Sequence, residues 1–108
     1  MGRIRQLRLT WKPSELNPDV GYRLYWSKET PISYDCNFFK LGNTTAVNLT
    51  DILLKAAPLG ESLYIGISVV DDAGNESDIV SLPEPYCVSV PLAPKDLVVT
   101  SPNEYEII

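Results

Sequence analysis

Residues 63–77 read LYIGISVVDDAGNES. Leu63, Ile65, Ile67 and Val69 alternate with Tyr64, Gly66 and Ser68, which is the period of a β-strand with one buried face. The run after it, Asp71-Asp72-Ala73-Gly74-Asn75-Glu76-Ser77, packs three carboxylates, an amide, a hydroxyl and a glycine into seven residues. It admits three readings: a metal loop, an acidic catalytic loop, or a turn between two strands. The flanking sequence decides among them.

On the N-terminal side the period is again two. Leu7, Leu9 and Trp11 alternate with Arg8 and Thr10, so a strand is expected over Gln6 to Lys12. Asn17-Pro18 and Gly21 carry turn chemistry. Tyr22, Leu24 and Trp26 then alternate with Arg23 and Tyr25, and the first three are expected to face inward. A loop through Pro31, Ser33 and Asp35 precedes a short strand around Phe38 to Leu41, closed by Gly42-Asn43. Val47 and Leu49 are expected to continue the strand pattern, with Asn48 outward between them. Residues 53–62, LLKAAPLGES, could hold one helical turn, kept short by Pro58 and Gly60. Beyond the acidic run, Pro83 and Pro85 confine the next strand to a sheet edge or a bulge. About seven short strands separated by turns, without a good helix, give an all-β antiparallel sandwich. The acidic run then joins the best strand to its successor, a hairpin turn with Gly74 or Asn75 at positive φ.

Composition narrows the function. The chain has 108 residues, 44% hydrophobic and 21% charged, as an ordinary single globular domain does. No apolar run reaches the roughly 18 residues of a membrane span, and no hydrophobic stretch follows the charged start as a signal peptide requires. The net charge is −5, and Arg3, Arg5, Arg8 and Lys12 make only a weak basic end, which argues against nucleic acid. There is no histidine, hence no Ser-His or Cys-His nucleophile pair. Cys36 and Cys87 lie far from any Cys-x-x-Cys zinc spacing.

The order of these pieces resembles a fibronectin type III domain, in the version common in bacterial surface and secreted multidomain proteins. LTWKPSELNPDVGYRLYWS (9–27) is similar to that family's B strand, turn and C strand, with Trp11 as the buried B-strand tryptophan and Tyr22 as the C-strand tyrosine. KLGNTTAVNLTDI (40–52) is similar to the C′-turn-E segment. VVDDAGNESDIVSL (69–82) is similar to the F strand, F–G turn and start of G. Two departures stand out. The family's corner tyrosine falls at Leu63, with Tyr64 one place late. The family's opening A-strand pattern is missing before Leu7 and occurs instead at the C-terminus, as Pro91-Leu92-Ala93-Pro94-Lys95-Asp96-Leu97-Val98-Val99. The resemblance therefore implies an immunoglobulin-like domain over 1–90 and, over 91–108, a linker with the A-strand-like start of a following domain or an exchangeable tail.

It also implies a function: a non-catalytic spacer or adhesion module of a larger extracellular or cell-surface protein, binding partners through loops and edges. The alternative is a carbohydrate-binding accessory of a polysaccharide-degrading enzyme. On either reading the chain needs no cofactor, metal or catalytic residue. Asp71, Asp72, Asn75, Glu76 and Asp78 lack the alternate spacing of a calcium loop, and a hairpin tip offers no cleft for a carboxylate pair. Tyr25, Tyr64, Phe38 and Phe39 are the candidate interaction surface. If Tyr25 and Tyr64 point outward on neighbouring strands, they form either a platform or a cross-strand pair worth about 0.2–1 kcal/mol. Asn43, Asn48 and Asn75 head glycosylation triplets on turns or an outward strand position. The family's layout places Cys36 in the C–C′ loop and Cys87 near the end of G, with the C and G backbones about 10 Å apart, so two free thiols are expected. Lacking its A strand, the first strand keeps an open edge; the tail then dangles, runs back along its own domain or pairs with a neighbouring copy. A homodimer is expected in which tail or B-strand edges pair between chains, with Leu7, Leu9, Leu97 and Val99 as the edge-pairing residues.

Overall fold

The computed structural model describes residues 2–13 and 20–107. The turn expected at Asn17-Pro18 lies outside the described residues. The elements run β1 (Arg8–Thr10), β2 (Gly21–Ser27), β3 (Asn37–Gly42), β4 (Ala46–Asn48), α1 (Leu49–Ala56), β5 (Ser62–Val70), β6 (Val80–Ser81) and β7 (Tyr86–Cys87). They form two antiparallel sheets: β1 with β4, and β3-β2-β5-β6 with β7 also on β5. The fold is mostly β. Pro83 and Pro85 divide the last strand into β6 and β7, because proline cannot donate to a ladder.

β2 and β5 form the centre, in register from Gly21↔Val70 to Ser27↔Tyr64. Their inward residues Leu24, Leu63 and Ile65 are fully buried, and Leu49, Leu53, Ala57 and Val88 complete the core. Leu7, Leu9 and Val47 of the small sheet pack against this cluster from the other side. At one end Trp11 meets Tyr22 edge-on, with ring centroids 5.4 Å apart.

Two expectations about local structure are corrected. The segment after Asn48 is a helix of eight residues, not a continued strand. Asn48 is its N-cap: the side-chain oxygen accepts from the Asp51 amide at 3.1 Å, which satisfies one of the first turn's orphan donors. Leu49 and Leu53 then bury one stripe of the helix in the core. The second correction concerns the face of β5 that the alternation assigned to solvent. Gly66 and Ser68 on that face are buried like their inward neighbours, so the sheet is covered on both sides.

The cover comes from two loops. A Cβ on Gly66 would meet Ile79 Cγ2 at 2.6 Å and Ile32 Cδ1 at 3.4 Å, so the loop after β2 and the segment after the acidic turn close over this position. Glycine is required there because the space is already filled.

Val88 is the last buried residue, and everything from 91 to 107 is exposed without regular structure. The radius of gyration is 21.8 Å and the extents are 83 × 29 × 22 Å, against about 13 Å for a compact chain of this length. The tail accounts for the difference. Among the described residues no helix is long and apolar enough to cross a membrane.

Candidate functional site

The acidic run forms its turn through its own side chains. Asp71 accepts from the Ala73 amide at 3.0 Å and the Asn75 amide at 2.8 Å, and its backbone N–H donates to the Asn75 carbonyl at 3.0 Å. Gly74 sits at φ 87°, the left-handed conformation the turn requires. The amide of Asn75, opposed by slight desolvation and then aided by the Asn75 side chain and the Ala73 and Gly74 amides, holds the Asp71 carboxyl below its ordinary pKa. Its oxygens are thus occupied by the turn.

Glu76 leaves the turn and returns over the sheet. One oxygen accepts from Arg23 Nη1 at 3.0 Å. The other accepts from the Ser68 hydroxyl at 2.5 Å and from the Tyr25 hydroxyl. Register explains the convergence: Arg23 pairs with Ser68, Tyr25 with Gly66, and all of them point to the same face. Burial alone would raise the Glu76 pKa, but the Ser68 and Tyr25 hydroxyls and the Arg23 charge outweigh it, and the carboxyl titrates below its usual value. Burial, reinforced by Glu76, pushes the Tyr25 phenol up. Next to Glu76, Ser77 accepts from the Val69 amide at 3.0 Å, and the Tyr34 hydroxyl reaches the Ser77 carbonyl at 2.9 Å.

Tyr25 is therefore 0% exposed and offers no platform. Its ring contacts are Phe38, at 5.2 Å, and Tyr34, at 6.2 Å and near-perpendicular. Tyr64 stands half-buried opposite Ser27, one pleat further along the same face. Phe38 is 38% exposed with the Arg23 guanidinium 4.6 Å over its ring, whereas Phe39 turns to the other face and stacks on Trp26 at 6.4 Å. The four candidate aromatics are thus split between two faces. Sequence reasoning did not find the Glu76 hub with Arg23, Tyr25 and Ser68, nor the Tyr34 bond beside it. Its parts come from three separate stretches, and only the shared parity of Arg23 and Tyr25 hinted at them.

A second site lies at the open side of the molecule. Between β1 and β6 runs an apolar groove of about 390 Å³, lined by Leu9, Trp11, Tyr22, Ile67, Val80 and Leu82. Trp11 Nε1 is buried there without an acceptor among the described residues. The edge residues Leu7 and Leu9 are half-buried, whereas Leu97 and Val99 are 98% and 97% exposed, so one chain does not bring the two pairs together. Cys36 and Cys87 are free thiols. Of the three glycosylation triplets, Asn48 and Asn75 have side chains bonded in a helix cap and a turn, respectively. No protein-family model, curated protein or solved structure matches the chain.

Proposed function

We propose that the chain is a fibronectin type III-like β-sandwich acting as a non-catalytic structural or interaction module of a larger surface or secreted protein. The pairing of strands supports the fold: β1 with β4, and β3-β2-β5-β6/β7, match the family's B-E and C′-C-F-G sets with strand A left out. One observation carries the function. Two of the acids that could have served a metal or a substrate are bonded into the fold, Asp71 to its own turn and Glu76 to Arg23, Tyr25 and Ser68. What remains for recognition is surface and edge.

The exposed rings of Phe38 and Tyr34, both packed against Tyr25, favour carbohydrate binding as the second reading. Pull-down on insoluble polysaccharides, with release of soluble sugar followed in parallel, separates the readings. The module reading expects neither retention nor release. Retention lost in Phe38→Ala would replace it with the carbohydrate reading, and sugar release would replace both.

A further inference from the structure

We propose that the groove between β1 and β6 is an acceptor for a β-strand, and that its occupant is the segment Pro94 to Thr100 of a second copy of this chain. The backbone of β1 is half-used. Trp11 N–H donates to the Thr45 carbonyl at 3.1 Å and Leu49 N–H to the Leu7 carbonyl at 2.7 Å, so the odd-numbered residues bond to β4. In an antiparallel ladder the alternate residues then face the other way, which leaves the polar backbone of Arg8 and Thr10 aimed outward. Among the described residues no strand lies on that side. An unpaired edge above an apolar groove is the geometry that strand addition uses: backbone bonds to the edge, alternate side chains into the slot.

The tail has the matching pattern. Leu97 and Val99 are two residues apart and almost completely exposed, so in an extended strand both would point into the groove. Charge does not oppose the seating: Arg3, Arg5, Arg8 and Lys12 surround β1, the segment itself is neutral with Lys95 and Asp96, and Glu104 and Glu106 follow it.

Direction rules out the chain's own tail as an antiparallel partner. Trp11 lies beside Tyr22, which pairs with Val69, so β1 runs toward the Val70 end of β5. β6 pairs near Ile67 and β7 near Ser62, so the chain leaves the fold at the opposite end. A strand antiparallel to β1 must enter at the Val70 end. β5 has nine residues, a length of about 30 Å, and the six residues from 89 to 94, after the buried Val88, span at most about 21 Å. The tail cannot travel that far before its strand begins. In two copies lying side by side in opposite directions, each tail emerges next to the other's entry point. The exchange closes with two-fold symmetry and removes both edges.

The test is sedimentation equilibrium of the full chain at several concentrations, with two variants. The wild type is expected to be a dimer. Leu97→Asp/Val99→Asp, changed only at exposed positions, is expected to be a monomer with unaltered circular dichroism. Thr10→Pro, which removes an outward backbone donor at an edge where proline is tolerated, is expected to be a folded monomer as well. A wild type monomeric throughout the range overturns the proposal. So does a dimer that survives the tail substitutions, because another surface then holds it, or one that survives Thr10→Pro, because the tail then binds elsewhere. None of these outcomes depends on the polysaccharide result.

Discussion

Glu76→Ala should be among the most damaging substitutions outside the apolar core. It deprives the buried hydroxyls of Tyr25 and Ser68 of a charged acceptor and leaves Arg23 without its counter-ion. Hydrogen bonds to charged groups contribute about 1.5–3 kcal/mol each. The Glu76 side chain keeps 16% of its accessibility, so water can enter the vacated space and part of that loss is recovered. Arg23, at 30%, rehydrates readily and adds about 0–1 kcal/mol. The total is about 2–4 kcal/mol, or a fall in Tm of roughly 8–25 °C for a domain of this size.

The assay is urea denaturation at pH 7, followed by tryptophan fluorescence and circular dichroism, and repeated toward pH 3. The sign of the pH effect follows from the lowered Glu76 pKa. A carboxyl with a depressed folded-state pKa stabilises fully above its ordinary value of 4.5, and the contribution is lost as the pH falls through the folded-state value. The gap between wild type and variant should therefore be widest at neutral pH and narrow in acid. A gap below about 0.5 kcal/mol at pH 7, the range of an ordinary surface substitution, would refute the hub. A gap that widened in acid would refute the ionised role of Glu76.

Gly66→Ala places a methyl against Ile79 and should cost about 1–3 kcal/mol, read in the same denaturation assay; a neutral result would mean that the loop does not close over β5. Asn48→Ala removes the cap of α1 and should cost about 1 kcal/mol, whereas Asn48→Asp, which also accepts from the Asp51 amide, should cost little. Millimolar calcium should leave Tm unchanged, because the Asp71 oxygens already bind the turn; a rise abolished by Asp71→Ala would show a calcium site instead.

The parts of the fold that the sequence revealed are those governed by one local rule. Period-two alternation located β2 and β5, turn chemistry bounded β3, and Gly74 took the positive φ that its turn demanded. The misses come from rules in competition. Asn48-Leu49-Thr50-Asp51 fits a strand continuing from Val47 and also a capped helix start; the buried stripe of Leu49 and Leu53 decided for the helix. Alternation says which residues share a face but not whether something lies on top of it. Tyr25, Gly66 and Ser68 were therefore read as a solvent face, although residues near 32 and 76, distant in sequence, return to cover it. The Glu76 hub was hidden for the same reason.

Residue-resolved amide hydrogen exchange along β1 tests the central claim most directly, because it reads the ladder to β4 and the open edge together. In the Leu97→Asp/Val99→Asp monomer, Leu9 and Trp11 should be protected by β4 while Arg8 and Thr10 exchange freely. In the wild type all four should be protected, with Arg8 and Thr10 gaining protection as concentration rises. Arg8 and Thr10 exchanging equally fast in both proteins would contradict the acceptor edge, and unprotected Leu9 and Trp11 would contradict the sheet that forms it.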